Sequence, residues 1–166
     1  MNVKDETLLE EYLKLPDRLE AAIAGLDEAQ LDLTAGKGWS IREYVHHTVE
    51  GELMWQGFLR GILGQDGMEI PIRWYFELSQ DEWARRWKSG KRAVGPSLTL
   101  FRGSTASLVE LLRAVPAKAW KQSGRVTWPK ADKETRLTVR KIVQMHLYHM
   151  DWHTADIQAI RKIHGC

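Results

Sequence analysis

Four separate stretches of this chain place apolar residues at three- and four-residue steps, the period of an α-helix with one buried face. The first holds Leu8, Leu9, Tyr12, Leu15, Leu19, Ala22, Ile23 and Leu26, with Pro16 placed to bend it. The second holds Ile41, Tyr44, Val45, Thr48, Trp55, Leu59, Ile62 and Leu63. Ser40, with Glu43 three residues on, forms a capping box at its start, and the glycines from Gly64 to Gly67 close it. The third runs from about Pro96 to Val115 on Leu98, Phe101, Leu108, Leu111 and Leu112, and the last from Thr138 to about Ile163. Such helices bury their faces by packing on one another, so the expected fold is all-α, a four-helix bundle.

Between the second and third helices, Met68 to Pro96 breaks the pattern and carries Trp74, Trp83 and Trp87 beside Arg85, Arg86, Lys88, Lys91 and Arg92. Loop and short helix are expected there. A second excursion, Ala117 to Arg136, reads as a short hairpin. At 166 residues, without repeats or a linker, residues 1–166 are expected to form a single domain. The lone Cys166 excludes an internal disulfide framework, the acidic amphipathic start does not resemble a secretory signal, and no apolar run reaches membrane-helix length. A cytoplasmic protein is the expectation, with no membrane partner.

Three of the six histidines fall within "HLYHMDWH", His146 to His153. On a helical wheel with Val139 at zero, the apolar stripe of Ile142, Val143, Met150, Ile157 and Ile160 lies within about 60° of the origin. His146, His149 and His153 fall near about 340°, 280° and 320° on that wheel, all leaning inward. Three buried imidazoles are costly to satisfy by hydrogen bonds alone, and a metal relieves the cost. His149 and His153 are one turn apart and can share an ion, with His146 and His149 the weaker competing pair. On the second helix, with Ile41 at zero, His47 flanks the buried face at about 240° while His46 looks outward at about 140°. His47 is therefore the expected third ligand, and Gly51, at about 280°, leaves room beside it.

Two stretches, "WSIREYVHHTVEGE" (Trp39 to Glu52) and "HMDWHTADI" (His149 to Ile157), resemble the helix-two and helix-four signatures of the DinB/YfiT-like family of metal-dependent enzymes. The first carries its histidine eight residues after the tryptophan. The resemblance covers most of the chain and implies a DinB/YfiT-like bundle of up-down-down-up topology, often dimeric, here with an irregular Trp-rich insertion between helices 2 and 3. It implies a divalent metal on His47, His149 and His153, zinc or nickel foremost, with manganese or iron as alternatives. Characterised relatives include transferases that use low-molecular-weight thiols and a thiol-dependent isomerase. Asp156 departs from the pattern, standing where relatives often carry Gln or Glu, and the Trp-rich segment lies outside the signature, so substrate class does not carry over.

Three neutral imidazoles leave a divalent ion its full charge and an open position, the pattern of a catalytic site. Water activation and thiol deprotonation are both open to it. The expected function is that of a divalent-metal-dependent enzyme acting on a small molecule, either a low-molecular-weight-thiol S-transferase or a hydrolase. A noncatalytic metal- or ligand-binding bundle is the alternative. Asp156, near about 260°, either orients a ligand histidine or a water or is a solvated carboxylate at the bundle end, whereas Glu50, near about 180°, is expected to be exposed. Trp152 sits on the flank of the last helix, against a neighbouring subunit or its own core. His164 complements the dipole at that helix's end. Nucleic-acid binding through "RRWKSGKR", Arg85 to Arg92, ranks last, because the net charge is only +2.

Overall fold

Ser40 accepts a hydrogen bond from the backbone N–H of Glu43, whose carboxylate accepts one from the backbone N–H of Ser40. Helix α3 (Ile41–Gly64) starts at this capping box. The computed structural model describes residues 3–129 and 134–166. Within them the first apolar stretch divides into α1 (Val3–Leu13) and α2 (Leu15–Ile23). The division falls just before Pro16, whose ring lacks an N–H and crowds the carbonyl four residues back.

A short helix α4 (Gln80–Arg86) lies in the Trp-rich segment. Helix α5 (Val94–Ala114) begins two residues before Pro96, which its first turn tolerates. Strand β1 (Ser123–Thr127) pairs antiparallel with β2 (Glu134–Thr138), in the register Ser123 to Thr138 and Thr127 to Glu134. The hairpin expected in this excursion is present, although residues 130–133 lie outside the described residues. Thr138 caps α6 (Val139–His164) by accepting from the Lys141 N–H.

The contacts fix the direction of each helix. Tyr12 meets His146, and Arg18 meets Asp151, so α1 and α2 run parallel to α6. His47 faces His149 while Glu52 faces His146, so α3 runs antiparallel to α6. His46 meets Ser97 and Arg60 meets Ser107, so α5 runs parallel to α3. The result is an up-down-down-up four-helix bundle, with α1 and α2 together forming the first member. Leu9, Leu15 and Leu19 share its core with Val45, Leu59, Phe101, Leu108, Val143 and Ile157. Among the described residues, no helix is long and apolar enough to cross a membrane.

Two expectations for α3 are corrected. His46 does not look outward: it is fully buried, with Nδ1 3.0 Å from Ser97 Oγ and Nε2 3.2 Å from the Arg92 carbonyl. Glu50 is half-buried rather than exposed, and it pairs with Arg92. Both face the segment entering α5, which covers the side of α3 that a single-faced wheel leaves to solvent. Arg85 and Arg86 both pair with Glu82, so much of the basic run is committed to local carboxylates. Because the capping box satisfies otherwise orphaned N–H groups, Ser40→Ala is expected to cost about 1 kcal/mol of stability, measured by urea denaturation.

Candidate metal centre

The antiparallel packing of α3 on α6 brings His47, His149 and His153 together. His149 Nε2 lies 3.3 Å from His47 Nε2 and 3.1 Å from His153 Nε2. One ring nitrogen from each histidine lies within 4.8 Å of the others. Nitrogens bound at about 2.0–2.1 Å to a tetrahedral ion are themselves about 3.3–3.4 Å apart, so the spacing suits a single shared ion. The rings meet edge to face, with interplanar angles of 71° to 87°.

The groups behind the rings determine which nitrogens carry protons. His153 Nδ1 is 3.2 Å from Asp156 Oδ2, so its proton belongs on Nδ1 and its Nε2 presents a lone pair to the cluster. His149 Nδ1 is 3.8 Å from Glu52 Oε1, an ion-pair rather than a hydrogen-bond distance, and this carboxylate favours the same tautomer. Lone pairs so crowded repel unless a cation lies between them. The residues present therefore fit a divalent ion bound through Nε2 atoms. Burial, then the charges that His153 and His149 would carry, hold the His47 imidazole down at about 3. Burial first, and then His149, also lower His153.

Gly51 faces the cluster from α3. A Cβ built there would stand 3.3 Å from His149 Cε1, so a larger side chain would press on the ring. Trp39 packs against His47 with ring centroids 4.5 Å apart, and Trp152 stacks on His153 at an interplanar angle of 12°. Trp152 is otherwise exposed. A cavity of about 360 Å³ opens over the three rings.

His146 is not part of the cluster. Its Nδ1 lies 2.6 Å from Glu52 Oε2 and 3.2 Å from the Tyr12 hydroxyl, and Gln56 Nε2 donates to that hydroxyl at 3.2 Å. Burial pushes the Glu52 carboxyl up, but His146 and then His149 outweigh it and hold the group at about 2. Burial, reinforced by the Glu52 charge, raises the Tyr12 phenol well above its ordinary range. Glu52 is the residue that sequence reasoning missed. Its signal was present, because on the α3 wheel it falls near about 20°, in the middle of the apolar stripe, where a carboxylate requires a partner. His164 sits at the end of α6, with Nε2 2.8 Å from the Thr34 carbonyl.

A profile of the DinB superfamily matches residues 11–157. The chain belongs to the DinB superfamily. It is 28% identical over 153 residues to a Geobacillus thermodenitrificans protein named "Putative metal-dependent hydrolase", a match covering 92% of this chain and 81% of the relative. A Bacillus cereus (strain ATCC 10987 / NRS 248) protein of the same name is 29% identical over 158 residues, covering 95% and 85%. Among solved structures, YfiT from Bacillus subtilis superposes with a TM-score of 0.84 at 18% identity, covering 99% of this chain and 90% of that one. YfiT is described as having an unusual four-helix bundle topology, and the likeness establishes the same fold for this DinB chain.

Two outcomes test the electrostatics. Unfolded, His47 titrates near its ordinary 6.5; folded, it titrates near 3, so between these values the unfolded chain binds more protons and stability falls with acidification. Its contribution is full above about 6.5 and disappears as pH falls toward 3. Urea denaturation of metal-free protein from pH 7 to pH 4 is expected to show a shallower loss in His47→Gln than in the wild type. Glu52→Ala, which strands buried His146, is expected to cost about 3–5 kcal/mol in the same assay, whereas a loss under 1 kcal/mol would contradict a paired carboxylate.

Proposed function

We propose that this DinB chain is a divalent-metal-dependent hydrolase in which His47, His149 and His153 bind one ion. The observation that carries the proposal is the convergence of three Nε2 atoms, with Asp156 behind one ring and Glu52 behind another. Zinc and nickel, both suited to imidazole nitrogen, are the proposed ions. When bound, the ion supplies a Lewis acid that polarises a substrate oxygen and lowers the pKa of water at an open position.

The protein's own residues prepare the site for that chemistry. Asp156 Oδ2 holds the His153 proton at Nδ1, which fixes the ring's orientation and keeps its other nitrogen free. Asp156 is thus a positioning residue. Glu52, anchored by His146 and Tyr12, faces His149 Nδ1 from the interior at 3.8 Å and favours the same tautomer through its charge. Trp39 and Trp152 pack on the His47 and His153 rings and limit their access to water. The small-molecule substrate would enter through the cavity over the rings.

Hydrolysis is placed ahead of S-transfer from a low-molecular-weight thiol because the curated relatives carry the hydrolase name. Residues 1–166 are proposed to act as one cytoplasmic domain and to pair as a homodimer. Untagged protein prepared without chelator is expected to retain about one divalent ion per chain by elemental analysis, and His149→Ala and His153→Ala to lose it. Metal content unchanged in both variants would exclude the assigned ligands.

A further inference from the structure

The lining of the cavity over the three histidines points to a class of substrate. Met54 and Trp55 reach it from α3, Met145 and Trp152 from α6, and Phe76 from the crossover, while Trp39 lies beside His47. Among the described residues, no Asp, Glu, Lys or Arg lines it. Of the nearby carboxylates, Glu52 and Asp156 stand behind the ligand rings and Asp81 accepts from Trp39 Nε1 at 2.7 Å, all three outside the lining.

The polar groups in the wall are largely committed elsewhere. Tyr75 Oη donates to Gln80 Oε1 at 2.6 Å, and both residues line the cavity. His146, also in the lining, commits Nδ1 to Glu52, and its buried Nε2, without a hydrogen-bond partner among the described residues, adds a neutral acceptor rather than a charge. Away from the three histidines, a carboxylate or ammonium on the body of a ligand would give up water without meeting an opposite charge, which is costly. An apolar body loses nothing by entering, and thioethers beside aromatic rings adapt to its shape.

The mouth of the cavity supplies a second observation. Phe76 is 42% exposed and Trp152 is 59% exposed, and both line it. Large apolar side chains left in water around a concave site gain by being covered. The volume of about 360 Å³ lies near the small end of small-molecule sites, which span about 300–1,000 Å³. That suits a body the size of one or two aromatic rings.

We propose that this cavity selects small substrates that carry the reacting group on an uncharged, apolar, aromatic-sized body, and that it rejects those whose body bears a charge. The position of the reacting group rests on the metal-dependent reading above; the selectivity of the cavity rests on its lining. The first measurement is therefore independent of metal. Prodan, a neutral fluorophore built on a single naphthalene, is expected to bind metal-free protein with a blue-shifted, enhanced emission. Phe76→Glu and Met54→Glu, each confirmed folded by circular dichroism, are expected to weaken that binding at least tenfold. Leu100→Glu, on the exposed side of α5 away from the cavity, is expected to leave it unchanged.

The second measurement places three hydroxamates on zinc-loaded protein. Benzohydroxamic acid is expected to bind at least tenfold more tightly than acetohydroxamic acid, and at least tenfold more tightly than 4-carboxybenzohydroxamic acid. Equal affinities for the three overturn the substrate class and leave the metal site standing. If no hydroxamate binds but the fluorophore does and responds to Phe76→Glu, the metal reading fails and the apolar selectivity holds. A fluorophore that does not bind, that ignores both cavity variants, or that is excluded because a second copy of the chain covers the mouth overturns the proposal.

Discussion

The register of α3 against α6 governs everything else in this molecule. Two polar meetings define it: His47 against His149 and His153, and Glu52 against His146. An antiparallel slip by one turn, about 5.4 Å, would bring Glu52 opposite Ile142 or Met150. Both are fully buried and apolar. The carboxylate would then lack a partner in the interior, at an effective cost of several kcal/mol. A paired buried charge adds little net stability over a well-packed apolar alternative, yet it discriminates strongly between registers. Glu52 therefore does two things with one carboxylate: Oε2 locks the helices in register through His146, and Oε1 faces the ring of His149 in the cluster.

Much of this was legible in the sequence, and the failures have physical causes. Capping residues are local, so Ser40 with Glu43 marked the start of α3 without knowledge of its neighbours, while periodicity put the start of α6 at Thr138, which the structure shows to be its cap. The histidines of α6 could be placed by angle because one side of that helix carries a continuous apolar stripe. For α3 the same method misplaced His46 and Glu50. That helix is covered from more than one direction, and Arg92 and Ser97 meet the side that the wheel assigned to water. Polar residues on such a helix can be buried struts, and only the tertiary neighbours reveal them. Glu52 was visible as a carboxylate on an apolar stripe, but its partners, Tyr12 and His146, come from helices distant in sequence.

The irregular Trp-rich segment follows from topology. Because α3 and α5 run parallel, the chain must return along the bundle between them, a distance of about 36 Å for the 24 residues of α3. A tight turn cannot make that connection. The returning chain spends its residues on an aromatic stack in which Tyr75 lies against Trp83, and Trp83 donates its Nε1 proton to the Tyr75 carbonyl at 2.7 Å. The stack holds the short turn at Arg73–Phe76 in place, and that turn carries Tyr75 and Phe76 to the cavity wall.

The histidine cluster and the cavity wall above it thus answer to different constraints. The histidines sit on bundle helices, where the 3.6-residue period and the register leave few positions able to converge on one point. The wall over them is supplied in part by a crossover whose length is imposed but whose sequence is not, apart from the need to fill its own small core. Residues such as Phe76 can change there without disturbing helix packing, while a change at Gly51 or Glu52 alters the rings themselves. A scaffold divided in this way can keep one histidine cluster beneath walls of different shape. The histidine cluster is then readable from periodicity, whereas the wall above it emerges only when the crossover is folded against the bundle.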